Sequence, residues 1–135
     1  MLMNQRAAAD TSEVNEMALR AARTLARAIG DSEIFSRFEA AQDAFQADET
    51  ARNRLRAYQA RQQELRVSAM WGGAGPEEQL ALEREWQELS RLPTLQASLQ
   101  AQEALRELFR DVAGRITREI GVDYGAACSP AGGCC

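Results

Sequence analysis

The sequence predicts an all-α fold: an antiparallel bundle of about five helices with one long C-terminal helix and a flexible Cys/Gly tail. Apolar residues recur at the 3.6-residue spacing of amphipathic helices along most of the chain. Aromatic residues make up 6% of the 135 residues, and most of the nine glycines and three prolines lie in two short stretches. An all-β domain needs a richer supply of turns, and no alternating stretch of useful length is present.

Caps and apolar spacing predict the first three helices. Residues 1–10 are interpreted as a disordered lead-in, and the first helix is expected to start at Thr11–Glu13 and to end at Gly30. Its apolar stripe consists of Val14, Met17, Ala18, Ala21, Leu25 and Ala28. Asp31–Glu33 starts a second helix, and Asp48 is the expected cap of a third.

A glycine-rich break separates the third helix from the last two. The segment Trp71–Pro76 holds three glycines and a proline, which cannot continue a helix. A fourth helix is expected to start at Glu77–Glu78 and to end before Pro93. The segment from Thr94 to Ile120 carries the longest apolar pattern and predicts a fifth helix. At 1.5 Å per residue this helix is roughly 40 Å long.

Each amphipathic helix must bury its apolar face, so we expect a bundle domain over residues 11–121 and a Gly/Cys-rich tail over residues 122–135. The aromatic residues expected in its core are Phe35, Phe38, Phe45, Trp86 and Phe109. Long helices in a small chain leave a second interpretation open, in which another subunit covers part of the apolar surface.

Charge and composition exclude several kinds of chemistry. The net charge is −4, every basic residue is Arg, and neither Lys nor His occurs. Sites that need a P-loop lysine, a Schiff-base lysine, a His-activated nucleophile or a His metal ligand are therefore excluded. An acidic chain is a poor general nucleic-acid binder. Without a membrane-span-length apolar segment or a signal-peptide pattern, we expect a cytoplasmic protein.

The three cysteines, Cys128, Cys134 and Cys135, all lie in the last eight residues. Thiolates are soft ligands for zinc, copper(I) or iron–sulfur clusters. Three sulfurs cannot fill a four-coordinate site, so a metal would need ligands from a second copy or from a partner protein. A redox-sensitive thiol tail and a tail without a role are the alternatives.

Two further features are candidates for binding. Trp71 stands in the glycine-rich break, either as an exposed anchor for a partner protein or tucked over the helix ends. Five arginines on the third helix divide between the two flanks of its apolar stripe, which favours packing over the core edge rather than phosphate binding. They are Arg52, Arg54, Arg56, Arg61 and Arg66.

Two blocks of residues carry a family resemblance. The first consists of Leu25–Ile29, Ser32, Phe38–Ala41, Ala47–Glu49 and Ala51. The second consists of Leu92–Pro93, Leu99–Ala101, Glu103, Leu105, Leu108 and the Ile116/Ile120–Gly121 ending. Their order and spacing resemble the YlbF/YmcA family of small helical bacterial proteins. The tail from Asp123 to Cys135 is similar to the cysteine-bearing ends of some members.

The resemblance implies a non-enzymatic regulator. Family members form complexes with each other and with a third, unrelated protein, and these complexes act on the membrane-anchored endoribonuclease that begins mRNA processing and decay. They affect competence, sporulation and biofilm formation, and have been linked to iron–sulfur clusters. Carried over, the resemblance makes Cys128, Cys134 and Cys135 candidate ligands of a 4Fe-4S cluster completed by a partner or a second subunit, with zinc as the second choice.

From the resemblance we expect a homo- or hetero-oligomer that neither inserts into a membrane nor binds nucleic acid directly. Two alternatives from other functional classes remain open. One is a stand-alone thiol redox or metal-sensing protein, and the other is a homo-oligomeric scaffold.

Overall fold

A computed structural model of the chain describes residues 2–124, and the side chains of residues 11–124. All regular secondary structure in this range is α-helical, which confirms the predicted all-α class. The helices are α1 (Leu2–Gly30), α2 (Glu33–Ala47), α3 (Glu49–Met70), α4 (Pro76–Leu89) and α5 (Pro93–Ile120).

The predicted start of α1 is wrong. The helix begins at Leu2 rather than at Thr11–Glu13, and it includes residues 2–10, which the sequence assigned to a disordered lead-in. This stretch contains no Gly or Pro, and its run of alanines has high helix propensity. A Thr-Ser pair is compatible with a helix interior, so a cap-like pattern does not force a helix to start there. The division into lead-in, bundle domain and tail stays a prediction.

The other helix boundaries follow local signals that the sequence contains. Asp48 caps α3 by accepting a hydrogen bond of 3.0 Å from the Ala51 N–H. Pro76 and Pro93 occupy the first turn of α4 and of α5, where a proline loses no hydrogen bond, so both helices start one residue before the predicted position. Gly121 ends α5 with a left-handed φ of 69°.

The described chain divides into two compact units, residues 2–36 and residues 37–124. In the first unit, every side chain from residue 11 to residue 28 is exposed. The expectation that each helix buries its stripe is therefore wrong for α1 within the described chain. The connection to α2 is ordered by Ser32, whose hydroxyl donates to the Ile29 carbonyl (2.6 Å) and accepts from the Phe35 N–H (3.2 Å).

The second unit holds the hydrophobic core, to which α2, α3, α4 and α5 each contribute. Its buried residues are Phe45, Ala51, Leu89 and Leu95. The half-buried residues packed against them are Leu55, Tyr58, Trp86, Leu92 and Leu99. The helices α3 and α4 are antiparallel, because Tyr58 stacks near Trp86 while Arg61, further along α3, pairs with the earlier Glu85.

The predicted aromatic core is confirmed at Phe45, which is buried, and wrong at Phe109, which is 47% exposed. Phe35, Phe38 and Trp86 are half-buried. The helix α5 has 28 residues, whereas α2 and α4 have 15 and 14. At 1.5 Å per residue these shorter helices cannot cover the full length of α5, and its buried residues, Leu95, Ser98 and Leu105, precede Phe109.

No helix within the described residues combines the length and the apolar character needed to cross a lipid bilayer.

Candidate partner-binding site

The loop between α3 and α4 forms the end of a helical hairpin and carries Trp71. Gly72 adopts a φ of 75°, a conformation that side chains disfavour, and this turns the chain away from the α3 axis. The carbonyl of Ser68 accepts hydrogen bonds from the N–H groups of Trp71 (3.1 Å) and Gly73 (2.8 Å). The loop backbone is therefore tied to the last turn of α3, and α4 restarts directly at Pro76.

The side chain of Trp71 is 86% exposed, and that of the neighbouring Met70 is 79% exposed. Val67, exposed as well, shares their helix face because residues i, i+3 and i+4 lie on one side of a helix. We call these three residues the tip face. Of the two positions left open for Trp71, the structure shows the exposed one. An exposed Trp supplies a large rigid surface and one N–H donor, the combination that dominates many protein interfaces.

The hairpin beneath the tip face is braced between its two helices. Arg61 on α3 forms an ion pair with Glu85 on α4, and the rings of Tyr58 and Trp86 lie 5.3 Å apart at 35°. These contacts join α3 to α4 beneath the tip face.

An acidic groove lies between α3 and α4, and its lining includes Ser68, whose carbonyl accepts the hydrogen bond from the Trp71 N–H. Its volume is about 380 Å³. It is lined by Arg61, Glu64, Leu65, Ser68, Glu78, Ala81, Leu82 and Glu85. Because Arg61 is paired with Glu85, the remaining charge of Glu64 and Glu78 is negative. The negative charge of this groove is complementary to a basic segment of a partner protein.

A second groove, of about 520 Å³, was missed by sequence reasoning. Its charge-free lining combines the Tyr58 and Trp86 rings with four glutamines, Gln42, Gln59, Gln62 and Gln102. At its floor lies Ser98, which is 2% exposed and accepts a hydrogen bond of 3.3 Å from the Gln102 amide. The available signal was the presence of Gln62 and Gln102 within apolar stripes, where a polar residue indicates a local opening in the core.

Asp48 joins the starts of α3 and α5. One carboxylate oxygen accepts from the Ala51 N–H, and the other accepts from the Thr94 hydroxyl at 2.7 Å. The Ala51 hydrogen bond, followed by that of Thr94, holds the pKa of the Asp48 carboxyl below its ordinary value of 3.8. Both oxygens of this carboxylate are therefore used in hydrogen bonds that connect the start of α3 to the start of α5.

The predicted metal ligands Cys128, Cys134 and Cys135 lie outside the described residues. Within residues 11–124, no group of three or more His, Cys, Asp or Glu side chains is arranged to hold a metal ion. The cluster and zinc predictions therefore stay predictions.

The α3 arginines do not form one basic face. Arg54 and Arg61 line a mixed-charge groove together with Arg84, Glu85 and Glu88. The Nε of Arg52 is buried without a hydrogen-bond partner, which places part of this guanidinium in the packed region next to Asp48. This arrangement favours the interpretation that the arginines pack over the core edge.

Residues 18–121 match the family model described as control of competence regulator ComK, YlbF/YmcA. The match covers α2 to α5 and the C-terminal part of α1, and it includes the hairpin and all three grooves. No curated protein and no solved structure matches the chain.

Proposed function

The chain belongs to the YlbF/YmcA family of competence regulators, and from this premise we propose that it is a non-enzymatic regulatory adaptor. In this proposal it assembles with related family members, a third regulatory protein and an endoribonuclease. The assembly modulates mRNA processing, and through it competence, sporulation and biofilm formation.

The observation that carries the proposal is the tip face of the hairpin. Trp71 and Met70 are the two most exposed large apolar side chains of the described residues. Exposing them to water is unfavourable by roughly 25 cal/mol for each Å² of apolar surface, and binding a partner removes this cost. Buried Trp side chains near the centre of an interface contribute a large share of binding energy. We therefore assign partner binding to Trp71.

The chemistry of the partner segment follows from the acidic groove. The unpaired carboxylates of Glu64 and Glu78 line the acidic groove together with Ser68, whose carbonyl accepts the hydrogen bond from the Trp71 N–H. The complementary ligand is a partner segment that packs an apolar residue against Trp71 and places an Arg or Lys in this groove. Complementary charges of this kind accelerate association and discriminate against acidic partners.

A non-enzymatic role is supported by the available functional groups. The chain has no His and no Lys, which removes the most common general bases and amine nucleophiles. Asp48, a carboxyl with a lowered pKa, uses its oxygens to hold the starts of α3 and α5. The tip face and the acidic groove offer apolar surface and negative charge for binding a partner segment.

We further propose that Cys128, Cys134 and Cys135 supply three thiolates to a 4Fe-4S cluster, or secondarily to zinc. Three thiolates are one ligand short of a complete set, so the fourth comes from a partner or a second subunit. Anaerobic purification of the complex, followed by iron, sulfide and zinc analysis, tests this. The Cys128→Ser/Cys134→Ser/Cys135→Ser variant is the control, and a complex free of iron and zinc would contradict the proposal.

The adaptor role is tested in the native host by replacing the wild-type gene with a gene that encodes the Trp71→Ala variant. We expect endoribonuclease-dependent transcripts to accumulate unprocessed, to the same extent as we expect on deletion of the gene. The matched control is Leu80→Ala, which removes an exposed apolar side chain of α4 outside the tip face. Normal processing with Trp71→Ala at normal protein level would overturn the assignment of Trp71.

A further inference from the structure

The glutamine-lined groove of the second unit has the size and position of a small-molecule pocket. Residues from all four helices of that unit line it, and it shares no lining residue with the acidic groove or the tip face. Its volume of about 520 Å³ falls within the range of roughly 300–1,000 Å³ that ligand pockets occupy, and such pockets often lie between the helices of a bundle.

The floor and one wall of the groove offer apolar surface. Phe45 and Leu95 are buried, and the half-buried rings of Tyr58 and Trp86 line the groove with them. The two ring centroids lie 5.3 Å apart, which leaves no space for a third ring between them, because stacked carbon atoms lie about 3.5–4.0 Å apart. A flat ligand therefore packs over the floor and against the outer surface of this ring pair.

Three of the four glutamine amides are available to a ligand. Gln42, Gln59 and Gln62 form no hydrogen bond with any other residue of the described chain, and Gln42 is half-buried. Each amide places a C=O acceptor next to an N–H donor. A ligand edge with a donor beside an acceptor satisfies both groups of one amide, as the edge of adenine does with a glutamine.

Ser98 adds a buried donor at the floor. Its side chain is 2% exposed, and its hydroxyl oxygen accepts the hydrogen bond from the Gln102 amide. The Ser98 O–H has no acceptor within residues 11–124. A buried donor without an acceptor is unfavourable, and a ligand carbonyl or ring nitrogen placed over the floor accepts this hydrogen bond.

The groove is free of charge in a strongly charged protein. The chain has 16 basic and 20 acidic residues, and charged side chains line both of the other grooves described above. None lines this one. Moving an ion from water into a site without an opposite charge is unfavourable, so the lining favours an uncharged ligand.

We propose that the glutamine-lined groove binds a small uncharged heterocycle whose edge carries adjacent donor and acceptor groups, the class to which nucleosides belong. The floor and the Tyr58–Trp86 pair contact the flat ring. The amides of Gln42 and Gln62 hydrogen-bond its edge, and Ser98 donates to a carbonyl or ring nitrogen. A simple sugar lacks the flat ring, and a nucleotide brings a phosphate charge that the lining does not pair.

This site goes beyond the adaptor role proposed above. Partner binding is assigned to Trp71 and the acidic groove, and neither contributes a residue to the glutamine-lined groove. The two proposals therefore fail separately. Absence of nucleoside binding with Trp71-dependent partner binding intact refutes this inference alone.

Isothermal titration calorimetry of the full chain with adenosine, inosine, cytidine and uridine tests the ligand class. At least one nucleoside is expected to bind with a dissociation constant of about 0.1 mM or lower, as is typical of a ligand of this size. Glucose is the uncharged control without a flat ring and is expected not to bind at the same concentrations. Absence of binding by all four nucleosides, or equal binding of glucose, overturns the proposal.

The 5′-monophosphate of the nucleoside that binds tests the preference for an uncharged ligand. It is expected to bind no more tightly than the nucleoside, because the groove offers no cation. A short single-stranded RNA is expected to behave in the same way. Binding of either compound at least tenfold more tightly than the nucleoside contradicts the uncharged class and indicates a phosphate-binding site instead.

Paired glutamine variants test the assignment to this groove. Gln42→Met/Gln62→Met removes two amides at similar side-chain length and is expected to weaken nucleoside binding at least tenfold. Gln46→Met/Gln63→Met is the matched control, since these exposed glutamines lie on the same two helices outside the groove. It is expected to bind like the wild type. Circular dichroism checks that both variants fold, and equal affinity of the two overturns the assignment.

Fluorescence of Trp86 locates the ligand independently. In the Trp71→Phe variant Trp86 is the remaining Trp of the chain, and a ring packed against it is expected to change its emission with the same midpoint as the calorimetric titration. Ser98→Ala is expected to weaken binding at least threefold in this assay. Trp86 emission that stays constant while calorimetry detects binding places the ligand elsewhere and overturns the proposal.

Discussion

The two units of the chain use the same amphipathic pattern to different ends. In residues 37–124, apolar stripes from four helices meet at Phe45, Ala51, Leu89 and Leu95 and form a core. In α1 the stripe is as regular, but the side chains from residue 11 to residue 28 are exposed. The comparison shows that an apolar stripe specifies which face of a helix is suited to packing. Which helix packs against that face depends on the rest of the chain or on another chain.

The largest expected effect is on the free energy of unfolding, and it appears when a buried leucine of the second unit is compared with an exposed leucine of the first. Leu89→Ala removes a core side chain that is 1% exposed and is expected to destabilise the protein by about 2–5 kcal/mol. Leu19→Ala removes an α1 side chain that is 61% exposed and is expected to change stability by less than about 0.5 kcal/mol. Urea unfolding of the second unit, followed by Trp86 fluorescence in a Trp71→Phe background, measures both. Equal effects would remove the distinction between the units.

A smaller effect is expected from two glycines of α5. Gly121 holds a left-handed φ of 69°, so Gly121→Ala is expected to destabilise by about 1 kcal/mol. Gly114 lies inside the helix, and a Cβ built on it meets no atom within 4 Å. Gly114→Ala is therefore expected to stabilise by up to about 1 kcal/mol. Thermal melting of the two variants should give shifts of opposite sign, and shifts of the same sign contradict this account of α5.

The smallest expected effect depends on pH and concerns the second unit alone. The folded-state pKa of Asp48 is lowered by the Ala51 and Thr94 hydrogen bonds. Its stabilising contribution is therefore fully present above the unfolded pKa, near 3.8, and is lost as the pH falls through the folded pKa. Thr94→Val removes one of the two hydrogen bonds.

We expect Thr94→Val to lower the melting temperature at neutral pH, and the difference from wild type to shrink as the pH falls below 3.8. Thr24→Val is the control, since the Thr24 hydroxyl donates only to the Arg20 carbonyl of its own helix. A Thr94→Val difference that stays constant down to the lowest pH at which the protein folds would show that Asp48 is not the group responsible.

The sequence predicted the elements whose signals are local. Asp48, Pro93 and Gly121 each act within one turn of their own helix, and the boundaries of α3 and α5 were predicted within about one residue. Local signals also explain the error at Thr11, where a cap-like pattern lies inside a helix that continues to Leu2. A cap residue is compatible with a helix start and does not require one.

The features that the sequence could not predict depend on contacts between distant residues. The exposure of Phe109 depends on how far α2 and α4 extend along α5. The Asp48–Thr94 hydrogen bond joins residues 46 positions apart, and the glutamine-lined groove needs four helices to form. Trp71 was identified as a candidate, but its exposure depends on how the loop is tied to Ser68.

The most direct test is a calorimetric titration of the purified chain with the proteins that we propose as its partners, a related family member and the third regulatory protein. We expect Trp71→Ala to weaken binding at least tenfold, which is about 1.4 kcal/mol, and Leu80→Ala to bind like the wild type. Wild-type affinity for Trp71→Ala would contradict the claim that this protein acts through the tip face of its α3–α4 hairpin.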